Sequence, residues 1–224
     1  MCKHSKVILN KYTMKWVRVD CGKCPTCMQK KAMSRATRIR NNMQSGEIAL
    51  FVTLTYANKY VPYIKKSDLV CLLDAPISVV RNEDNLFELP VYKDCKCYYT
   101  RSGRLVEDCN SYVCDYKYFT ESEYKILSKL HRDGKLKLYH GNGMSKDKVT
   151  VHCYSDIQKF LKRVRINLKR HFDYVKPFTY FSCLEYGSTT HRTHSHLLLF
   201  IPKEAESIFR AVISESWPYE IRSL

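Results

Sequence analysis

The stretch that decides the fold runs Phe178-Thr-Tyr-Phe-Ser-Cys-Leu-Glu185, then Tyr186-Gly187, then Thr190-His191-Arg192-Thr193-His194-Ser195-His196-Leu-Leu-Leu-Phe200. Both halves have strand composition, and Gly187 supplies the turn between them. Strand side chains repeat every two residues, so His194 and His196 share one face, and a hairpin brings Glu185 beside them. Two imidazoles and a carboxylate make a three-donor divalent-metal site with positions left open. The competing reading is a wet strand face with no ligand; Glu185, the flanking His191 and Arg192 and the basic chain weigh toward metal.

Working outward, the spacing predicts a helix on each side of this hairpin. Ile157, Phe160, Leu161, Val164 and Leu168 mark a buried stripe, with Ser155 and Gln158 spaced as a capping box. Lys159, Lys162, Arg163, Arg165, Lys169 and Arg170 crowd the remainder of that helix. After the hairpin, Ala205, Ile208, Phe209, Val212 and Ile213 predict a helix over about 203–217. Further upstream, Ile48 to Tyr56 reads as a strand central to a sheet. The order strand, insertion, helix, strand, strand, helix is most of a β-α-β-β-α-β ferredoxin-like unit, an α+β antiparallel sheet with helices on one face. Only the closing strand is missing from that pattern. Residues 57–150, broken by Pro62, Pro76, Pro90 and several glycines, read as an insertion with its own small structure. The expected organisation is an N-terminal segment with a basic helix over 1–46 and the main domain over 47–224.

Composition sets the partner. The 224 residues carry 38 Lys and Arg against 22 Asp and Glu, a formal charge of +16, which points to nucleic acid. The 17 tyrosines and 9 phenylalanines offer stacking surfaces for single strands, although most are expected in the core. Lys31, Arg35, Arg38, Lys162, Arg163, Arg165 and Arg192 are the candidate DNA contacts. No apolar run is long enough for a bilayer span and no signal-peptide core opens the chain, so no membrane partner and a cytoplasmic location are expected.

Eleven cysteines in a reducing compartment call for an explanation other than disulfides. Cys21-Gly-Lys-Cys24-Pro-Thr-Cys27, with Cys2 upstream, has the ligands for a tetrahedral structural Zn²⁺ site. A reduced, buried set at a helix start is the alternative. Cys95, Cys97, Cys109 and Cys114 form a second, less regular group that offers another zinc position. After Cys27, Met28, Ala32, Ala36, Ile39 and Met43 predict the apolar stripe of a basic helix that Ser45-Gly46 ends.

Four segments resemble a known family. Cys21-Gly-Lys-Cys-Pro-Thr-Cys27, Phe51-Val-Thr-Leu-Thr-Tyr56, Gln158-Lys-Phe-Leu-Lys-Arg-Val-Arg165, and Glu185-Tyr-Gly187 with His194-Ser-His196-Leu-Leu-Leu-Phe200 are similar to replication initiators of small single-stranded DNA phages. These are the microviruses related to gokushoviruses, within the HUH endonucleases. The resemblance implies a ferredoxin-like sheet whose central strand carries the histidines, and Mg²⁺ or Mn²⁺ on Glu185, His194 and His196. It also implies rolling-circle initiation: a tyrosine attacks an origin in single-stranded DNA and leaves a 3′-hydroxyl for the host bacterial replication machinery. Two positions depart from the pattern. Ser195 is small and polar where the family often has a bulky apolar residue. The family also carries its nucleophile in a downstream helix containing tyrosine and lysine, whereas Tyr219 alone follows His196 here. The expectation is therefore a chain that ends before its nucleophile, with Tyr219 the candidate inside it. The alternatives are a non-catalytic DNA-binding module and a metal-dependent nuclease that activates water, with His191 as base.

Overall fold

The computed structural model describes residues 2–76, 86–100, 102, 104–219 and 221–223. The chain divides into two compact units, Met1–Ile48 and Ala49–Leu224. Among the described residues there are five α-helices, and none is long and apolar enough to cross a membrane.

The first unit opens with a hairpin that composition did not announce. β1 (Lys6–Asn10) pairs antiparallel with β2 (Lys15–Val19). The turn closes because Asn10 Oδ1 accepts from the Tyr12 and Thr13 amides, at 2.9 and 3.3 Å, while Met14 takes a left-handed φ of 51°. α1 (Pro25–Asn42) follows, with proline in its first turn, where the missing N–H costs nothing. Its expected apolar stripe is not a buried one: Met28, Ala32, Ala36 and Met43 are exposed. No core exists within this unit for them to enter, since its only buried side chains among those described are Cys2 and Cys27.

The second unit is built on β3 (Glu47–Leu54), β10 (Thr179–Tyr186), β11 (Thr193–Pro202) and β12 (Ile221–Ser223), in the spatial order β10-β11-β3-β12. β3 is an inner strand, as its composition predicts. β12 corrects the expectation that the closing strand is missing: it pairs antiparallel with β3, Ile221 opposite Leu54. Three residues are too short to give a periodic signal, which is why the strand escapes a reading by pattern.

On β3 the side chains alternate, with Leu50, Val52 and Leu54 buried and Phe51 half exposed. Leu197, Leu199 and Ile201 of β11 are likewise buried, while His194, His196 and Leu198 turn to the other face. α4 (Tyr154–Phe172) buries Ile157, Phe160, Leu161, Val164 and Leu168, the predicted stripe. α5 (Glu206–Ser216) buries Phe209, Val212 and Ile213 and meets α4 where Asn167 donates to Ser216 Oγ at 3.3 Å. The expected capping box at Ser155 does not form. The helix starts one residue earlier, after Cys153, and the Ser155 amide donates instead to Asp115 of the insertion at 3.4 Å. An acceptor from a distant segment thus takes the role that local spacing suggested.

The insertion carries the second antiparallel sheet, β8 (Tyr112–Thr120), β5 (Leu86–Lys93), β4 (Tyr63–Lys65) and β9 (Lys148–Thr150), in that order. α2 (Lys66–Asp74) and α3 (Glu121–Arg132) pack with it around Ile64, Leu72, Phe87, Phe119 and Tyr124. β6 (Lys96–Tyr99) and β7 (Leu105–Asp108) form a small ribbon. α3 starts with a true capping box, in which Thr120 Oγ1 accepts the Glu123 amide while Glu123 accepts the Thr120 amide.

A buried charge pair fastens insertion to sheet. Lys93, wholly buried, lies 2.5 Å from Asp156 at the start of α4. Asp156 also accepts from Tyr56 at 2.8 Å and from Tyr219 at 3.3 Å, and the Lys93 ammonium sits 4.1 Å from the centre of the Tyr219 ring. Burial disfavours the Lys93 cation, yet the charge of Asp156 outweighs it and holds its pKa above the ordinary value.

Candidate metal centre

The register of the β10–β11 hairpin sets Glu185 directly opposite His194 and one pair away from His196. Glu185 Oε2 lies 3.4 Å from His196 Nε2 and 3.8 Å from His194 Nε2, and the three ligand atoms fall within 4.8 Å of one another. Each imidazole is held through its other nitrogen. His194 Nδ1 lies 3.3 Å from the Arg192 carbonyl, which can only accept, so Nδ1 carries the proton and Nε2 keeps its lone pair. His196 Nδ1 meets Thr53 Oγ1 at 3.1 Å, and its ring stacks on Phe51 at 5.3 Å. Both Nε2 atoms therefore face the carboxylate. This donor set fits a divalent cation, and two imidazole nitrogens among three donors suit Mn²⁺ better than the oxygen-demanding Mg²⁺.

The turn that presents these ligands is braced by the insertion. Gly187 donates to the Arg192 carbonyl and His191 to the Gly187 carbonyl, both at 2.9 Å, and His191 takes a left-handed φ of 50°. The Asn142 amide donates to the Thr190 carbonyl at 2.8 Å, and Thr150 Oγ1 to the His191 carbonyl at 3.1 Å. Tyr139 stacks on Tyr186 at 4.6 Å. His152 also packs against Tyr186, and its pKa is pushed down to about 4 by burial, with Lys117 and His194 adding to the shift. Beside His194 an open pocket is lined by Thr55, Tyr56, Thr190, Arg192 and Thr193.

The remaining candidates fall in different places. Arg192 spends one guanidinium nitrogen on the Tyr56 carbonyl at 2.6 Å, bridging the hairpin to the end of β3. Arg35, Arg38 and Lys162 are placed at the surface or near it, as DNA contact requires, while Lys31 donates to the Gly22 carbonyl at 3.1 Å. Arg165 is exposed with its guanidinium 4.9 Å from the centre of the Phe178 ring. Arg163 departs from the expected surface role, because its Nε and Nη2 are shielded from solvent. His191 is exposed, with its ring 5.5 Å from that of Tyr139. Tyr219 is a correction: its phenol is buried, hydrogen-bonded to Asp156 and raised in pKa by burial and that carboxylate. A core hydroxyl of this kind is withdrawn from any DNA strand.

The cysteines also sort themselves. Cys2, Cys21, Cys24 and Cys27 converge, their sulfurs within 4.8 Å of one another. The Lys23 and Cys24 amides pull the Cys21 thiol down to about 6, while burial pushes Cys27 up to about 12. The insertion group does not converge: Cys95 interacts with Cys109, and Cys114 with Cys153.

Thr53, Phe51, Tyr139 and His152 were not singled out in the sequence. The first two were within reach of it, since period two on an inner strand puts Phe51 and Thr53 on the histidine face.

An antiparallel sheet whose paired strands aim a carboxylate and two imidazoles at one point, in a strongly basic chain, is the layout of a metal-using protein that handles nucleic acid. Residues 141–224 match the model of the replication-associated protein ORF2 family. The match covers the hairpin and both flanking helices, and it supports a replication-initiator-like protein with a role in DNA replication. No curated protein and no solved structure matches the chain.

Proposed function

We propose that this chain is a rolling-circle replication initiator of the HUH endonuclease type, binding single-stranded DNA at an origin and nicking it by transesterification onto a tyrosine. The observation that carries the reading is the Glu185–His194–His196 triad on adjacent strands, with both Nε2 atoms free to bind. The sheet order, with one helix before the hairpin and one after it, corresponds to a ferredoxin-like arrangement. The likeness to small single-stranded DNA phage initiators gives the specific version of a reading that the replication-associated match supports more broadly.

Glu185, His194 and His196 would hold Mn²⁺ or Mg²⁺, which when bound polarises the scissile phosphate and offsets charge on the leaving oxygen. Thr53 and the Arg192 carbonyl fix the imidazole orientations, and Phe51 restricts the His196 ring. Phe51 and Phe181, exposed on their strands, offer bases a stacking surface. In the reaction a tyrosine oxygen bonds to phosphorus, the bond from phosphorus to the 3′-oxygen breaks, and a 5′-phosphotyrosine and a 3′-hydroxyl result. The burial of Tyr219 assigns that nucleophile to a different tyrosine.

The test incubates the chain with Mn²⁺ and labelled single strands tiled from the genome that encodes it. A denaturant-resistant protein–DNA adduct, lost in His194→Ala/His196→Ala and kept in Tyr219→Phe, is the expected result. Cleavage without an adduct would instead indicate a water-activating nuclease. Salt-sensitive binding with no cleavage at all would leave a DNA-binding module.

A further inference from the structure

We infer that Cys2, Cys21, Cys24 and Cys27 bind one structural zinc ion, and that this ion is what folds the first unit. The inference stands on residues far in sequence from the histidine triad and does not depend on the nicking reaction. Cys21 Sγ lies 3.9 Å from Cys27 Sγ, and Cys24 Sγ lies 3.7 Å from Cys2 Sγ. A zinc ion with bonds of about 2.3 Å to four tetrahedral sulfurs sets them about 3.8 Å apart. The two pairs are thus opposite edges of a tetrahedron of the right size.

The backbone is shaped for thiolates as well. The Lys23 and Cys24 amides approach Cys21 Sγ at 3.5 and 3.4 Å, and the Cys21 amide approaches Cys2 Sγ at 3.4 Å. These contacts need a tight turn, which Gly22 makes with a left-handed φ of 73°. Four thiolates around one divalent ion leave a double negative charge. The N-terminal end of α1, which begins at Pro25 between two of the ligands, and Lys31 on the Gly22 carbonyl partly offset it.

Burial supplies an independent argument. Apart from Cys2 and Cys27, no described side chain of this unit is buried, and Trp16, Met14 and Val7 stand open on the hairpin. A segment this short without an apolar core needs a cross-link or a metal to hold one shape. The four sulfurs join the chain before β1, the chain after β2 and the first turn of α1, so one ion fixes hairpin to helix. The first 48 residues carry eleven Lys and Arg against Asp20 and Glu47, so the ion also gathers a dense basic surface into one body.

The experiment uses the full chain, purified under reducing conditions. Elemental analysis should find about one zinc per chain. Exchange for Co²⁺ should give the thiolate charge-transfer and ligand-field bands of a tetrahedral four-sulfur site. Cys24→Ser should lower zinc content and open residues 2–42 to protease, while His194→Ala/His196→Ala should leave zinc content unchanged. The cobalt spectrum of the unaltered chain does not require any cysteine variant to fold. Reduced protein lacking zinc, yet protease-resistant through residues 2–42, would overturn the inference. Iron in place of zinc, two disulfides in place of four thiols, or zinc lost with the histidines rather than the cysteines would overturn it equally.

Discussion

The two units solve opposite problems with the same kind of side chain. In the first, the metal-binding residues are the interior, since Cys2 and Cys27 are its only buried side chains among those described. In the second, Glu185, His194 and His196 lie on the open face of a sheet whose other face is filled by Leu50, Val52, Leu197, Leu199 and two helices. Ligands that replace a core must be saturated and closed, whereas ligands mounted on a core can keep coordination positions for a substrate. Metal removal should therefore unfold one unit and spare the other. Hydrogen exchange after treatment with a strong chelator should show residues 2–42 losing all protection while β3, β10 and β11 keep theirs. Loss of protection in both units together would erase the contrast.

The next largest effect tests how firmly the second unit is built. Asp156→Ala would leave the Lys93 ammonium buried and unpaired, and should cost about 3–5 kcal/mol in denaturant unfolding. Lys93→Met combined with Asp156→Leu removes both charges and should recover most of that loss. A mild Asp156→Ala variant would mean that water reaches the pair, and that the insertion is less tightly fastened than the 2.5 Å contact indicates.

How much of this was legible follows from which interactions are periodic. The strands around Val52, Leu184 and Leu197, the α4 stripe and the grouping of Glu185 with two histidines all rest on periods of 2 or 3.6 residues, and the structure places them accordingly. The four-cysteine cluster was readable from spacing alone. What pattern could not supply was long-range. Asp115 takes over the expected cap at Ser155, Lys93 finds Asp156 across 63 residues, and the short strand β12 exists only because β3 offers an edge. Tyr219 illustrates the same limit, since its place in the chain suggested a nucleophile and only packing shows a core residue.

A smaller effect probes the shell of the open site. Thr53 holds His196 through Nδ1, so Thr53→Val should weaken Mn²⁺ binding roughly 10–100-fold by calorimetry with little change in stability. The corresponding cobalt spectrum of the cysteine site should not change. If Mn²⁺ affinity were the same in Thr53→Val, the orientation of His196 would have to come from Phe51 alone.

The smallest expected effect concerns the insertion, where a helix end is held by local bonding rather than by metal or core. Glu123 accepts the Thr120 amide at 2.8 Å, and chiefly that bond, with the Thr120 hydroxyl, keeps its carboxyl below the ordinary value of 4.5. A depressed folded pKa means the stabilisation is complete above 4.5 and is lost as pH falls through the lower folded value. Glu123→Gln keeps an acceptor but removes the charge near the positive end of the helix dipole, which should cost about 0.3–1 kcal/mol at neutral pH. On acidification the unaltered carboxyl also loses its charge, so the two proteins should converge in stability below the folded pKa. Thermal unfolding followed from neutral to acid pH reads this directly. A gap between the two proteins that stays constant across that range would show that the amide contact, and not the charge, holds the start of α3.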